Sequence, residues 1–311
     1  MPELPEVETI KLVLQRKIVG LTIKNVEVRS AKTFLGKTED VIGKKVAGVW
    51  RRAKMLGIDL NSATLLFHLK MTGQLIYIPN DKRLTINDKR FIGGHPTEDM
   101  VGPMPNPHTR VIFTFSDPLR PRSEASGSHL YFNDQRRFGW VKVIDSRLRG
   151  NDKKGVIPVS SVIPNLIGNL GPEPLEKGFT WQILKSNLLK HKSMPIKVAL
   201  MDQTVVSGVG NIYSNEACFN ARLDPRTKVG NLTDRQFESL HRGALKALRD
   251  GIKHGGSTRA HFVDPEGHRG YFLDYAFVYG LDKHPCKVCK TEIKKISLGG
   301  RGTYFCQHCQ K

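Results

Sequence analysis

Four of the five cysteines in this 311-residue chain form two Cys-x-x-Cys pairs. The pairs are Cys286 with Cys289 and Cys306 with Cys309, and 16 residues separate them. At this spacing four thiolates can surround one metal ion at about 2.3 Å, which favours a structural zinc over disulfides or redox pairs. Since four protein ligands fill the zinc shell, we expect the metal to hold the fold and to do no chemistry. The fifth cysteine, Cys218, lies in a helical pattern and is interpreted as a small buried apolar residue.

A glycine-rich turn lies between the two cysteine pairs. Strand-like residues flank Gly299-Gly300-Arg301-Gly302, so a β-hairpin with Arg301 at its tip is predicted. Glycine permits a close approach of the backbone, and a guanidinium can bind two phosphate oxygens at once. The hairpin is therefore interpreted as a nucleic-acid contact, with a solvated hairpin tip as the alternative.

The first residues, Met1-Pro2-Glu3-Leu4-Pro5-Glu6, offer an amine next to carboxyl groups. If the initiator methionine is removed, as is usual before a small residue such as proline, Pro2 carries a free secondary amine. An α-amino group has a pKa of about 7.7 to 8.0, so part of it is neutral and nucleophilic at pH 7. Glu3 or Glu6 could then donate a proton to a leaving or ring oxygen. The alternative is structural, because proline and glutamate are both favoured in a first helical turn.

The balance of charge indicates a polyanionic partner. Lysine and arginine number 49 against 29 aspartates and glutamates, so the net charge is +20 and the isoelectric point is about 9.8. Such a charge is typical of proteins that bind nucleic acid by displacing its counterions. An ordinary basic enzyme or a ribosome-associated protein is the alternative. No apolar run approaches about 18 to 20 residues, so no membrane partner is expected, and the acidic start is unlike a secretory signal.

Two domains and a small terminal module are predicted from the pattern along the chain. Residues 1–145 read mostly as β-strands, residues 156–276 as helices, and residues 277–311 as the cysteine-containing module. A polar and basic stretch at 146–155 is predicted to link the first two domains.

Two helices stand out in the sequence. Val7, Ile10, Leu14 and Ile18 recur at helical spacing after Pro5 and predict an early helix. A second helix is predicted from Thr233 to about His254, because Thr233 and Gln236 form a capping-box pattern and Gly255-Gly256 follows the last turn. Its predicted buried face consists of Phe237, Leu240, Ala244, Leu248 and Ile252.

Strand-like runs and loops alternate in the N-terminal domain. Surface insertions that form mobile loops are predicted at 80–107 and 118–129, since both are rich in proline, glycine, serine and charge. The runs that read as strands are Val46–Trp50, Leu65–Leu69, Leu75–Ile78, Arg110–Phe115 and Trp140–Ile144.

Gly208-Val209-Gly210-Asn211 is a glycine turn at the start of a helical pattern. It partly matches a dinucleotide-binding fingerprint, but Tyr213 stands where the third glycine belongs and no strand pattern leads into it. A glycine turn that opens a helix can still present backbone N–H groups to a phosphate.

Blocks along nearly the whole chain resemble those of bacterial formamidopyrimidine-DNA glycosylases, which excise oxidised purines. The first block is Pro2-Glu3-Leu4-Pro5-Glu6-Val7-Glu8-Thr9. The others follow in the family's order and are Arg51-Arg52-Ala53-Lys54, His68-Leu69-Lys70-Met71-Thr72-Gly73, Gln135-Arg136-Arg137-Phe138-Gly139, Leu170-Gly171-Pro172-Glu173-Pro174-Leu175, Leu200-Met201-Asp202-Gln203, Gly208-Val209-Gly210-Asn211-Ile212-Tyr213, Gly270-Tyr271-Phe272, Val278-Tyr279-Gly280 and the cysteine module.

The resemblance implies a multidomain α+β fold. It consists of an N-terminal β-sandwich with an N-terminal helix, a helix-two-turn-helix domain, and a C-terminal β-hairpin zinc finger. The implied partner is double-stranded DNA with oxidised bases or abasic sites. One structural Zn2+ and no other cofactor is expected, in a monomer of the bacterial cytoplasm that is associated with the nucleoid.

The resemblance also implies catalytic roles. Pro2 would attack C1′ of the damaged nucleoside and form a Schiff base, and Glu3 would protonate the sugar ring oxygen. Lys54 would assist β-elimination, and Arg301 would serve δ-elimination while it grips phosphate. An iminium makes the neighbouring C2′ hydrogen acidic, so this sequence of steps is chemically consistent.

Further matching positions imply contacts with DNA. Met71, Arg136 and Phe138 would fill the gap that a flipped-out base leaves; apart from the resemblance they read as a core methionine, a solvated arginine and a core phenylalanine. Asn211 is implied to bind phosphate.

Four weaker candidates complete the implied DNA surface. His68, His108 and Lys197 could contact the DNA backbone or could be simple surface residues. Ser193, with Lys192 adjacent, falls where relatives often carry a phosphate-binding lysine, and the register is ambiguous by one residue.

Two other functions are weighed against the excision of oxidised purines. A sister family acts on oxidised pyrimidines, but its members usually carry glycine where Leu4 stands and lack the combination of Met71, Arg136 and Phe138. A non-catalytic DNA-binding protein on the same scaffold is expected to lose Pro2 or Glu3. The sequence favours the oxidised-purine glycosylase.

Overall fold

The computed structural model describes residues 1–79, 91–94, 102–116, 127–145, 169–256 and 272–311. By its internal contacts the chain divides into two units. Unit 1 consists of Met1–Pro2, Glu6–Ile163 and Thr258–Gly270, and unit 2 of Glu3–Pro5, Pro164–Ser257 and Tyr271–Lys311. The predicted linker at 146–155 lies outside the described residues.

Helix α1 and ten strands are described in the N-terminal part of the chain. Helix α1 spans Leu4–Ile18, and the four apolar residues that predicted it are fully buried. The strands are β1 (Thr22–Val28), β2 (Phe34–Leu35), β3 (Gly48–Arg52), β4 (Met55–Leu60), β5 (Ala63–His68), β6 (Gly73–Ile78), β7 (Phe91–Gly94), β8 (Thr109–Ser116), β9 (Ser128–Asp134) and β10 (Trp140–Asp145).

These strands form two five-stranded sheets, with the orders β1-β8-β9-β6-β7 and β2-β10-β5-β4-β3. Neighbouring strands are antiparallel, apart from β2 and β10, which are parallel. Phe67 of β5 contacts Phe113 of β8 and Phe132 of β9, with ring centroids 5.8 and 6.0 Å apart. The two sheets therefore share one apolar core, and the predicted β-sandwich is confirmed.

The five predicted strands all exist, with ends that differ by at most two residues, but the prediction lacks β1, β2, β4, β7 and β9. Strand β7 contradicts the predicted loop at 80–107, and β9 begins inside the predicted insertion at 118–129. Glycine usually indicates a loop, but Gly93 lies in β7 because the strand passes close to helix α1. A Cβ at this position would lie only 2.2 Å from Cγ1 of Ile10. Residues 80–90, 95–101 and 118–126 lie outside the described residues.

Unit 2 is helical and ends in a two-stranded hairpin. Its helices are α2 (Trp181–Leu188), α3 (Ile196–Leu200), α4 (Asn211–Asn220), α5 (Asp234–Lys253) and α6 (Phe272–Tyr275), and the hairpin consists of β11 (Lys294–Leu298) and β12 (Arg301–Phe305). The capping box of α5 is confirmed, since Gln236 N donates to Thr233 Oγ1 and Thr233 N donates to Gln236 Oε1. Among the described helices, none has both the length and the apolar character needed to cross a membrane.

Candidate active site and nucleic-acid interface

The Glu3 carboxylate is bound at the start of helix α4. The Glu3 side chain is buried, and its Oε1 accepts a hydrogen bond of 2.9 Å from Ile212 N. Its Oε2 accepts a longer hydrogen bond of 3.5 Å from Tyr213 N. The first turn of a helix carries unpaired N–H donors and the positive end of the helix dipole, so it stabilises a negative carboxylate. Helix α4 therefore fixes the orientation of this acid.

Two glycines make room for Glu3 and Leu4. Gly208 has a φ of +86°, a value that residues other than glycine rarely adopt. Its carbonyl accepts a hydrogen bond of 3.0 Å from Leu4 N. A Cβ on Gly210 would lie 2.4 Å from Cδ of Glu3. The prediction that this glycine turn offers its N–H groups to a phosphate is wrong for Ile212 and Tyr213, because the Glu3 carboxylate accepts their N–H groups.

Lys197 is a buried cation close to the Glu3 carboxylate. Its side chain is fully buried, and its Nζ donates to Oδ1 of Asn211 at 2.5 Å. The pKa of Lys197 is lowered to about 8, mainly by burial and also by the charge of Arg301, while Cys218 and Glu3 act to raise it. The alternative of a simple surface role for Lys197 is therefore wrong, and its contact with DNA stays a prediction.

Cys218 is fully buried in helix α4, as predicted. Burial raises the pKa of its thiol to about 12, so it is not a nucleophile at neutral pH. Ser193 is exposed in the turn before α3, next to the exposed Lys192. A hydroxyl at that position can reach a ligand from solvent.

The hairpin carries Arg301 at its tip, as predicted. Arg301 is exposed at the first position of β12, and the two glycines before it have φ values of +58° and +68°, which form the turn. Asn211 Nδ2 donates to the carbonyl of Gly302 at 3.2 Å. The start of α4 is thereby tied to the residue that follows Arg301.

The four cysteine thiols converge beside this hairpin. The Sγ atoms of Cys286, Cys289, Cys306 and Cys309 all lie within 4.8 Å of one another, with separations of 3.4 Å and 4.0 Å for two pairs. Tetrahedral zinc with Zn–S bonds of about 2.3 Å requires S···S distances of about 3.8 Å. The four thiols therefore fit a single structural zinc.

Two further residues of α4 bind the zinc-finger region, and sequence reasoning missed both. Asn215 is fully buried, and its Oδ1 accepts a hydrogen bond of 2.8 Å from Tyr304 N. The buried carboxylate of Glu216 accepts from the backbone N–H groups of residues 277–279 at 2.9 to 3.0 Å. Burial raises the pKa of Glu216, whereas these three hydrogen bonds lower it. Nothing local in the sequence separates this glutamate from a solvated one.

Unit 1 holds Pro2 and the predicted elimination lysine. Pro2 is buried, and Lys54 is 8% exposed in the turn between β3 and β4, where Ala53 has a φ of +53°. His68 accepts a hydrogen bond of 3.0 Å at Nδ1 from Lys70 N. Burial lowers the pKa of His68 to about 3, and the charges of Lys70 and Lys54 lower it too. His68 is therefore a neutral group that can donate through Nε2.

His108 is half-buried, and its backbone is engaged on both sides. Its N–H donates to Oδ1 of Asn106 at 2.9 Å, and its carbonyl accepts from Asp134 N at 2.9 Å. The structure therefore fixes the backbone at this position, while a contact of the imidazole with DNA stays a prediction.

The three residues that would fill the gap lie at or near the surface. Phe138 is 53% exposed, and the guanidinium of Arg136 lies 5.0 Å from the centroid of its ring. Met71 is partly exposed in the turn between β5 and β6. The alternative interpretation of Phe138 as a core residue is therefore wrong.

Comparisons with known proteins agree with this architecture. The family models that match are the Formamidopyrimidine-DNA glycosylase N-terminal domain at residues 1–141, the Formamidopyrimidine-DNA glycosylase H2TH domain at residues 170–262, and the Zinc finger found in FPG and IleRS at residues 283–311. The formamidopyrimidine-DNA glycosylase of Listeria innocua is 34% identical over 316 residues, which cover 100% of both chains. The chain belongs to the formamidopyrimidine-DNA glycosylase family.

Solved structures of formamidopyrimidine-DNA glycosylases share the fold. A Lactococcus lactis FPG mutant in complex with a Fapy-dG containing DNA has a TM-score of 0.78 and 28% sequence identity, with 100% of both chains covered. MutM in complex with carbocyclic 8-oxo-G containing DNA has a TM-score of 0.77 and 28% identity, again over 100% of both chains. The predicted N-terminal domain, H2TH domain and C-terminal zinc finger with one structural zinc are confirmed.

Proposed function

We propose that this chain is a bifunctional DNA glycosylase and abasic-site lyase for oxidised purines, namely 8-oxoguanine and formamidopyrimidines. The observation that carries the proposal is the buried Glu3 carboxylate, oriented by the first turn of α4 and adjacent in sequence to Pro2. It occurs in a chain that matches glycosylases of this family over its full length.

The chemistry assigned to these residues is nucleophilic catalysis. The lone pair of the Pro2 nitrogen attacks C1′ and the C1′–N bond breaks, so the damaged base leaves with that electron pair and takes a proton from solvent. Glu3 accepts the proton that the Pro2 nitrogen loses and donates it to the sugar ring oxygen as the C1′–O4′ bond breaks. The ring-opened sugar is then held as an iminium on Pro2, which makes the C2′ hydrogen acidic. Lys54 assists loss of the 3′ phosphate by β-elimination, and Arg301 serves the δ-elimination that releases the 5′ phosphate.

The proposed substrate is damaged duplex DNA, and both surface and charge support it. A base inside a duplex is out of reach, so it must be flipped out at a cost of a few kcal/mol. Met71, Arg136 and Phe138 would occupy the gap, and the exposure of Arg136 and Phe138 supports this. The net charge of +20 suits a phosphate backbone.

Contacts with the DNA backbone are proposed for five other residues. In the free protein the amide of Asn211 binds Lys197 and the zinc-finger hairpin, so these two residues would meet phosphate as a pair. Exposed Ser193 and half-buried His108 and His68 offer single hydrogen-bond donors.

The alternatives of a pyrimidine-specific sister enzyme and a non-catalytic scaffold are less well supported. The related structures named above carry oxidised-purine lesions in their DNA, and both Pro2 and Glu3 are present. We also propose that the protein works as a monomer in the bacterial cytoplasm, where it associates with the nucleoid DNA that it repairs.

Borohydride trapping tests the assignment of the nucleophile. The protein is incubated with a duplex carrying 8-oxoguanine, reduced with borohydride, and resolved on a denaturing gel. We expect a permanent protein–DNA adduct whose cross-linked peptide contains Pro2. An uncleaved tag before Pro2 should abolish the adduct, because an amide nitrogen has no available lone pair.

Two substitutions separate the proposed roles. Glu3→Gln should suppress base excision and spare much of the cleavage at a preformed abasic site, where no base has to leave. If Lys54 were the nucleophile instead, the tagged protein would still trap DNA and Lys54→Ala would not. Lys45→Ala, which removes an exposed lysine of the same unit, is the matched control. An adduct at any residue other than the N-terminus contradicts the proposal.

A further inference from the structure

The two loops that carry the gap-filling side chains lie next to each other within unit 1. Residues 69–72 lead from β5 of one sheet to β6 of the other, and residues 135–139 lead back from β9 to β10. Gly73, the first residue of β6, pairs with Asp134, the last residue of β9. The Met71 turn and the Arg136–Phe138 loop are therefore neighbouring crossings between the sheets.

One buried carboxylate joins these two loops. Asp134 is fully buried, and its Oδ1 accepts hydrogen bonds from the hydroxyl of Thr72 and, at 3.2 Å, from Arg136 N. Its Oδ2 accepts from Gly139 N at 2.6 Å. The Thr72 hydroxyl also accepts from Arg136 N at 3.0 Å. The carboxylate thus binds both ends of the Arg136–Phe138 loop and the residue that follows Met71.

Each of the two loops contains one residue in the left-handed backbone conformation, which residues other than glycine rarely adopt. Lys70 has a φ of +51° and Arg137 a φ of +58°. Left-handed conformations of such residues persist when the surrounding structure fixes them. The Nε of Arg110 also donates a hydrogen bond of 2.8 Å to the backbone carbonyl of Asp134. The aspartate is therefore fixed on its main chain as well as on its side chain.

We propose that Asp134, acting through Thr72, is a positioning residue that couples the Met71 turn to the Arg136–Phe138 loop, so that the three side chains enter the DNA stack as one preformed unit. If either loop moved alone, the carboxylate would lose hydrogen bonds in a buried site, which is unfavourable. A loop ordered in advance also loses less conformational entropy when DNA binds. This inference rests on the proposed function, in which these side chains replace the flipped base.

If the two loops are coupled in this way, duplex and single-stranded substrates should depend on the coupling to different extents. Excision from a duplex needs the gap filled, whereas cleavage of an abasic site in single-stranded DNA involves no orphaned base and no stacked neighbour pair. The backbone of Arg136 is held by both Thr72 and Asp134, so reading of the opposite base should also depend on them.

The test compares three variants in single-turnover assays. Thr72→Val removes the hydroxyl at nearly constant size, Thr72→Ser keeps it, and Asp134→Asn replaces one acceptor oxygen by a donor. Thr64→Val is the matched control, because Thr64 of β5 is also buried and its hydroxyl donates to Oδ1 of Asp59 on the paired strand β4 at 2.6 Å. Excision of 8-oxoguanine opposite cytosine and opposite adenine is measured in duplexes, and strand cleavage is measured at an abasic site in a single strand.

We expect Thr72→Val and Asp134→Asn to lower duplex excision roughly 10- to 100-fold, as for other small misplacements of catalytic groups. Single-strand cleavage should change less than about threefold, and Thr72→Ser should restore duplex excision. Discrimination between the two opposite bases should weaken in both variants. Because the two residues act as a unit, the double variant should be no worse than Asp134→Asn alone.

An equal loss of duplex and single-strand activity in Thr72→Val overturns the proposal, since this indicates a general loss of structure. Unchanged duplex excision by Thr72→Val does so as well, even if Asp134→Asn fails to fold. A wild-type protein that excises no oxidised purine refutes the proposed function and this inference with it. A wild-type protein that excises normally, with variants that lose nothing, refutes this inference alone.

Discussion

The start of helix α4 and the paired loops of the β-sandwich use the same device for different purposes. Each has a buried carboxylate that accepts backbone N–H groups, from Ile212 and Tyr213 for Glu3 and from Arg136 and Gly139 for Asp134. At α4 the carboxylate is itself the proposed chemical group, and the backbone orients it. In the loops the carboxylate holds the backbone, and the exposed side chains carried by that backbone are the groups proposed to contact DNA.

This difference determines what a substitution should do in each region. A change around Glu3 should alter the chemical step, because the acid is displaced from its substrate. A change around Asp134 should alter the fit to duplex DNA and leave the chemistry available. The start of α4 is also hydrogen-bonded to the zinc-finger hairpin, whereas no metal-binding cluster occurs among the described residues of the sandwich.

The largest effect is expected from Gly210→Ala. The new Cβ would lie 2.4 Å from Cδ of Glu3, so the carboxylate has to move. Base excision should fall about 100-fold, since a displacement of about 1 Å can have that effect. Gly178→Ala is the control, because no atom lies within 4 Å of its added Cβ. Single-turnover excision of 8-oxoguanine measures the effect. A wild-type rate in Gly210→Ala would contradict the claim that the start of α4 controls the chemical step.

A smaller effect, confined to unit 2, is expected when zinc is lost. Cys306→Ser should release the metal and unfold the finger, because a four-thiolate site supplies much of the folding free energy of so small a module. Duplex affinity should fall about tenfold, with loss of the Arg301 contact and a shallower dependence on salt. Metal content, duplex binding and the unfolding of the sandwich are measured together.

Cys218→Ala serves as the control for zinc loss, because Cys218 is buried in α4 and lies outside the thiol cluster. It should keep the metal and the affinity. Full duplex affinity in a zinc-free Cys306→Ser protein would show that the finger takes no part in binding.

The smallest effect concerns His68 and the pH dependence of stability. Its pKa in the folded protein is about 3 against an ordinary 6.5, so below pH 6.5 the unfolded chain binds a proton that the folded protein does not. His68 therefore contributes stability above about pH 6.5, and this is lost progressively as the pH falls towards 3. Urea unfolding at pH 7.5 and pH 5 should show a weaker pH dependence in His68→Gln. An unchanged pH dependence would mean that His68 is readily protonated in the fold.

Sequence reasoning succeeded where a residue type has few uses. Paired Cys-x-x-Cys motifs, a capping box and an arginine between glycines each have a local signature, and all three features exist in the structure. It failed where the role of a residue depends on contacts with residues that are far away in the sequence. Asp134 has no local signature in the sequence, yet its carboxylate accepts a hydrogen bond from Thr72, 62 residues away in the chain. Glu216 reads as a solvated helix position, yet it binds backbone about 60 residues further on.

The family resemblance, by contrast, assigned a surface role to Phe138, which apart from the resemblance reads as a core residue. Phe138 is apolar and follows two arginines, so composition alone places it in a core, whereas the structure leaves 53% of it exposed. A large apolar side chain in solvent is unfavourable for the free protein. The rule that apolar residues are buried therefore misplaces Phe138, and only the family resemblance predicts its exposure.

The sheet crossings have a consequence for how the length of this chain can vary. Residues 69–72 and 135–139 span the gap between two packed sheets, about 10 Å, with few residues to spare. Residues 79–90 and 117–127 connect neighbours within one sheet, where a longer connection costs little free energy. We therefore expect natural and engineered insertions to accumulate in the within-sheet connections, while the two crossings keep a constant length.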